Sequence, residues 1–273
     1  MIAPGLHPRV CVSGLCFPGL SAAEAIWATA ATGAAKTSVT AAKLRESGVE
    51  AVLEQCRDAG VEIVTTTGAL RFDLSPGADV AAQVEHGRAD IDLAAAAGAT
   101  SLYTLTGPRV FDDWSDNADA YARIVGELVG HAAERGVVLA LEPTNWLYAD
   151  LNFVHSFRDA LALAALAGMR VCLDAFHVWT ESELRHDIAK HVGLISHVQL
   201  SDMSPGARAL PCRALPGEGA LPLRAVTRWL LESGYDGPFD LELSGPAIDE
   251  IGHQEAAGRA ARWLDDLLVE LGA

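Results

Sequence analysis

No stretch of this sequence approaches the roughly 20 consecutive apolar residues of a membrane span, although half of its residues are apolar. A membrane is therefore not an expected partner. The opening Met1-Ile2-Ala3-Pro4-Gly5 has no basic region followed by an apolar one, so no signal peptide is expected. Cysteine is sparse and odd in number, at Cys11, Cys16, Cys56, Cys172 and Cys212, with no CxxC pair. That excludes a disulfide framework and fits a reduced, cytoplasmic setting. Positive charge is scarce: 20 Lys and Arg stand against 36 Asp and Glu, for a net charge of -16, and no basic patch stands out. Duplex binding needs a positive footprint, so nucleic acid is not an expected partner either. No GxGxxG follows the first β-branched run, which argues against an open dinucleotide-binding sheet.

What is present is one recurring unit. An Ala-rich amphipathic stretch ends at a glycine, and a short β-branched run follows. The glycines are Gly33, Gly60, Gly98, Gly136, Gly168, Gly193 and Gly234; the runs begin near Lys36, Val61, Ser101, Val137, Met169, Leu194 and Phe239. Glycine just past a helix end takes the left-handed cap conformation without a Cβ penalty. With the opening run Val10-Cys11-Val12 the chain holds eight strands, each followed by a helical segment. Ser21 with Glu24 forms a capping box for the first helix, and Ser156 with Asp159 a weaker one. Strands alternating with helices indicate a parallel sheet, and eight units in 273 residues predict a (β/α)8 TIM barrel, for which ~250 residues is typical. No linker or composition shift divides residues 1–273, so one domain is expected. The least regular stretch runs from Asp202 to Leu221, after the seventh strand.

In such a barrel, chemistry gathers at the C-terminal strand ends. The fifth strand closes with Leu141-Glu142-Pro143-Thr144-Asn145-Trp146, the sixth with Leu173-Asp174-Ala175-Phe176-His177, the seventh with His197-Val198-Gln199-Leu200-Ser201-Asp202, and the eighth with Leu241-Glu242-Leu243-Ser244. A single carboxylate there caps a helix or meets solvent. Four consecutive strands each ending in an oxygen donor is a different pattern, because carboxylates crowded in a half-buried site repel one another. A cation resolves that conflict, and oxygen donors from Glu142, Asp174, Gln199 and Glu242 suit a hard ion such as Mn²⁺ or Mg²⁺ better than zinc.

These motifs, LEPTN (141–145), LDAFH (173–177), HVQLSD (197–202), PGEG (216–219) and LELSG (241–245), resemble the sugar phosphate isomerase/epimerase family of the xylose isomerase-like barrel superfamily. The resemblance spans essentially the whole chain. It implies a divalent metal ion (Mn²⁺ first, Mg²⁺ or Co²⁺ next) held by Glu142, Asp174, Gln199 and Glu242, with His177 touching substrate or a metal-bound water. Many ketose epimerases of the family carry histidine where this chain has Gln199; glutamine there is more similar to the hydroxypyruvate isomerase and inosose dehydratase branches. Strand alternation puts His197 on the same face, one step deeper, as a buried hydrogen-bonded histidine.

The implied chemistry is proton abstraction beside a carbonyl, with Glu142 and Glu242 as general base and acid on opposite faces of a small-molecule substrate. Return of the proton to the next carbon is isomerization, and return to the opposite face is epimerization. Loss of a β-hydroxyl, as from an inosose-like or dehydroshikimate-like substrate, makes a lyase instead. Arg213, before PGEG, and Arg208 are candidates to clamp a carboxylate or phosphate. Asn145, Trp146, Trp179 and Phe17 are candidates for substrate contact, while Cys16 reads as a small buried hydrophobe. A nuclease of the same barrel needs three metals and histidines at the third and fourth strand ends, where this chain has Thr65-Thr66-Thr67-Gly68 and Thr104-Leu105-Thr106-Gly107. A non-catalytic barrel subunit is a further alternative, for which Gln199 is the only hint. Apolar helix faces leave room for a homodimer.

Overall fold

The computed structural model of the protein describes residues 5–68 and 71–273; Met1 to Pro4, read above for a leader, lie outside them. Eight parallel strands form a closed barrel: β1 (Val10–Ser13), β2 (Lys36–Thr40), β3 (Glu62–Thr67), β4 (Ser101–Thr104), β5 (Val138–Leu141), β6 (Arg170–Asp174), β7 (Ile195–Leu200) and β8 (Phe239–Leu241). Each strand pairs with its neighbours in sequence, and β8 closes on β1 through Val10↔Phe239, Cys11↔Asp240 and Val12↔Leu241. The expected (β/α)8 barrel is the fold.

Local signals act as their chemistry requires. Ser21 and Glu24 form the complete capping box of helix Ala22–Thr32, and the Ser156 side chain accepts from the Asp159 amide to start helix Phe157–Ala167. Six of the seven glycine caps, all but Gly193, have positive φ. Gly193 instead lies inside a 3-10 turn, Val192–Leu194, so the chain enters β7 without a left-handed residue. Helices on the outside include Val80–Ala96, Trp114–Glu134, Leu223–Glu232 and His253–Leu271. None among the described residues is long and apolar enough to cross a membrane.

Every barrel strand is buried on both faces, and the two faces differ in kind. Outward residues such as Val12, Leu102, Leu139, Leu141, Val171, Leu173, Val198 and Leu200 join the helices in one continuous apolar core. The lumen is mostly polar and holds its own small cluster of Tyr103, Ala140 and Cys172. Ser13 with Ser38, and Thr65 with Ser101, hydrogen-bond across neighbouring strands at 2.9 and 2.7 Å. Helices bury the outside by the hydrophobic effect, whereas the lumen satisfies its polar groups strand to strand.

Candidate active site

Four neighbouring strands, β5 to β8, deliver the acidic residues to one end of the barrel. Glu142 and Glu242 each stand one residue past a strand, and the ladder still holds their backbones: the Glu142 amide donates to Thr104 O (3.0 Å) and that of Glu242 to Leu200 O (3.2 Å). Asp174 ends β6, and its Oδ1 accepts from the Phe176 amide at 2.9 Å, capping the short helix Ala175–Val178. Three residues along a helical turn is one face, so the same turn returns His177 over the site. Its Nε2 lies 3.7 Å from Asp174 Oδ2 and 3.8 Å from Glu142 Oε1. Glu142, Asp174 and His177 thus form a buried group with mutually close ligand atoms.

The loop after β7 brings in a cation. It is more ordered than its composition suggested: Asp202–Met203 and Arg213–Ala214 pair as a two-residue antiparallel ribbon. The Asp202 carboxylate gathers the loop by accepting from the amides of Met203 (2.9 Å), Gly217 (3.0 Å) and Leu221 (2.8 Å). A Cβ at Gly219 would stand 2.2 Å from Asp202 Oδ1, so the second glycine of PGEG permits this close approach. The ribbon aims Arg213 inward. Its Nη1 donates to Ser201 Oγ (2.7 Å), and its Nη2 to Asp174 Oδ2 (2.8 Å) and Glu242 Oε1 (2.7 Å). The guanidinium also stacks 4.4 Å above the Phe176 ring.

Beneath these groups Gln199 is fully held. Its Nε2 donates to Glu242 Oε2 and, at 3.0 Å, to the Tyr103 hydroxyl, while its Oε1 accepts from Cys172 Sγ at 3.1 Å. The expected amide oxygen therefore faces Cys172, and the amide nitrogen faces the carboxylate. The physical reason is simple: an amide oxygen set against Glu242 would repel it, whereas the N–H donates. One layer deeper, His197 Nε2 pairs with Asp240 Oδ2 at 3.1 Å and its ring stacks with Tyr103, the buried histidine that strand alternation placed there.

Burial dominates the electrostatics. It pushes the Glu142 carboxyl well above the usual range, and the nearby Glu242 and Asp174 push it further against the pull of Arg213. Glu242 is raised to about 7, again first by burial, with Arg213 opposing. His177 is lowered to about 4 by burial, which outweighs the attraction of Asp174, so its imidazole is neutral near pH 7. The Asn145 backbone amide donates to His177 Nδ1 at 3.2 Å and the Asn145 side chain lies 3.1 Å away. That makes Nδ1 the acceptor and leaves the proton on Nε2, facing the carboxylates.

The donor set fits a divalent metal ion. Three carboxylates are hard oxygen donors, and the Gln199 amide would join them only by turning its oxygen away from Cys172. The Glu142 carboxylate carries the test: it is buried, has no hydrogen bond among the described residues, and sits beside two further carboxylates. Asp174 and Glu242 already accept bonds, but a carboxylate offers about four lone-pair sites and can hold an ion as well. His177 Nε2 carries a proton in this arrangement, so it is a donor toward the site rather than a ligand.

A cavity of about 380 Å³ opens above these groups, lined by Glu142, His177, Arg213 and Glu242 from the expected set and by Tyr103 and Arg71 beside them. Asp174 and Gln199 lie just beneath. Asn145 acts on His177 rather than on the cavity. Trp146 is a correction: it sits in a 3-10 turn, 73% exposed and away from the cavity lining, because Asn145 caps that turn through the Leu147 amide and sends the indole outward. Arg208 is exposed and donates only to Ala207 O, Phe17 is buried in the core, and Trp179 packs against it. Cys16 is buried, bonded to Leu241 O. Sequence reasoning missed Tyr103, Cys172 and Ser201, which hold Gln199 and Arg213, and it missed Arg71. Strand alternation points Tyr103 inward, the one signal that was available for it.

Comparison with known proteins agrees with this architecture. A protein of Streptomyces coelicolor named "Putative hydroxypyruvate isomerase" is 31% identical over 243 residues, covering 80% of this chain and 82% of that one. A solved L-ribulose 3-epimerase superposes with a TM-score of 0.82 at 18% identity, covering 97% of this chain and 96% of the other. The IOLI protein, solved with a zinc atom, superposes at 0.80 and 16% identity, covering 96% and 98%. At such identities the two structures speak for the fold. The model of the xylose isomerase-like TIM barrel matches residues 19–267, and the chain belongs to that family.

Proposed function

We propose that the protein is a divalent-metal-dependent isomerase or epimerase of a small sugar, ketose or hydroxy-keto acid, working by proton transfer through an enediolate. The observation that carries this reading is the pair Glu142 and Glu242: two buried carboxyls, both raised in pKa, facing one cavity from strands three apart in the ring. A general base works best with a pKa near the operating pH, and burial moves both groups that way. Glu142, Asp174, Gln199 and Glu242 would hold the ion, with Gln199 turning its amide over to offer oxygen. The divalent site of the IOLI structure and the name of the Streptomyces relative support the reading; Mn²⁺ suits the oxygen donors best.

A bound divalent ion supplies Lewis-acid stabilisation of the charge that develops on the carbonyl oxygen. The residues supply the rest. One glutamate removes the proton beside the carbonyl, and the other returns it to the adjacent carbon or to the opposite face. His177, held by Asn145 with its proton on Nε2, donates to a substrate oxygen. The apolar walls of Leu15, Leu105 and Leu151 limit water at the reacting carbons.

The test is turnover of a panel of ketoses, hydroxypyruvate and inososes by metal-loaded protein, with solvent deuterium incorporation and product analysis. Glu142→Gln and Glu242→Gln should each lose on the order of 10²-fold or more with an unchanged circular dichroism spectrum. A near-wild-type rate in either variant would sink the two-glutamate mechanism. Release of water with an ultraviolet-absorbing enone would reassign the site as a lyase.

A further inference from the structure

The cavity lining holds one cation that has no partner among the described residues. Arg213 is spent on Asp174, Glu242 and Ser201. Arg71 also lines the cavity, yet among the described residues its side chain makes no hydrogen bond or ion pair. It follows β3, and Arg213 follows β7; those strands are four apart in the ring of eight. Arg71 therefore enters the cavity lining from a loop on a strand four places from the one that precedes Arg213. Apolar side chains, Leu105 and Leu151, share the lining with these polar groups.

The chemistry of the side chain names the class of group it would meet. A guanidinium presents a planar fork that matches a carboxylate in two parallel hydrogen bonds.

We infer that Arg71 is a specificity-determining residue that binds the carboxylate of an acidic substrate, so that among the classes proposed above this site takes a hydroxy-keto acid or sugar acid rather than a neutral ketose. The inference rests on the metal-dependent reading and names its substrate class.

The experiment is calorimetric titration of the full-length, Mn²⁺-loaded protein with three three-carbon probes that lack a ketone or aldehyde and so are not turned over: glycerate, glycerol and glycerol 3-phosphate. Glycerate should bind at least about tenfold more tightly than glycerol, the scale of one charge-assisted contact. Arg71→Met should remove that preference without changing glycerol binding, and Arg71→Lys should keep part of it. Equal binding of glycerate and glycerol, or a preference that survives in Arg71→Met, overturns the role of Arg71 alone. Tighter binding of glycerol 3-phosphate than of glycerate overturns the carboxylate assignment. Failure of all three probes to bind protein that holds its metal overturns the reading of the site together with the inference.

Discussion

Arg213 and Glu242 meet at 2.7 Å between Nη2 and Oε1, a buried ion pair that ties the loop after β7 to the end of β8. The same Nη2 reaches Asp174 at 2.8 Å, so one guanidinium neutralises carboxylates from two strands that are not adjacent to each other. Burial alone would lower the pKa of Arg213; Asp174, Glu242 and Glu142 more than offset that and hold it as a cation.

Removing Arg213 should therefore be costly. Arg213→Met leaves Asp174 and Glu242 as buried carboxylates without their common partner, and breaking a buried pair in this way costs about 3–5 kcal/mol. The chelated variant should melt well below the chelated parent. Saturating Mn²⁺ should narrow the gap, since a ligand of the native state stabilises it by mass action. Arg213→Lys should fall between, because an ammonium cannot span both carboxylates with the same planar fork. Superimposable melting curves for chelated parent and Arg213→Met would show that the pair contributes nothing net.

Gln199 offers a second handle. Its amide is fixed by Tyr103, Glu242 and Cys172, and presenting its oxygen requires breaking that set. An imidazole at the same strand position offers a stronger donor than a neutral amide. Gln199→His should preserve or tighten binding of one Mn²⁺ equivalent, measured by titration and by elemental analysis after dialysis. Complete loss of metal from a folded barrel would remove this position from the ligand shell.

Away from the site, Glu181 makes a stability prediction with a definite sign. Its Oε1 accepts from the Phe157 amide at 2.6 Å at the start of helix Phe157–Ala167. Burial raises its pKa above the unfolded value of 4.5, more than the backbone hydrogen bonds lower it. The folded state thus holds this proton more tightly, so the contribution is complete below 4.5 and is lost as pH rises through the folded value. Glu181→Gln keeps the acceptor and removes the charge. It should raise the melting temperature at pH 8 while leaving it nearly unchanged at pH 4. An equal shift at both pH values would contradict the sign.

How far the sequence reaches can be judged residue by residue. Asp174 and His177 were readable as a pair because their partnership is local: three residues in one helical turn put both over the same opening. Glu142 and Glu242 were readable because a strand end is a defined place in a barrel, and the ladder holds each backbone there. Gly193 and Trp146 were misplaced for the converse reason. The entry into β7 is a 3-10 turn that needs no left-handed residue, and the aim of the Trp146 indole depends on how Asn145 divides its bonds between His177 and the next turn.

What the sequence determined by itself was the periodic information: eight strand–helix units, their caps, and the order in which acidic residues close the last four strands. These follow from short-range backbone preferences and from a repeat that permits few ways of closing. Only the tertiary structure decided which groups face one another across the lumen. Arg213 falls between Asp174 and Glu242, Tyr103 and Cys172 hold Gln199, and Arg71 joins the cavity lining without a partner among the described residues. Such encounters depend on barrel closure and loop path, and burial then shifts the charges that meet. No spacing along the chain encodes that distance.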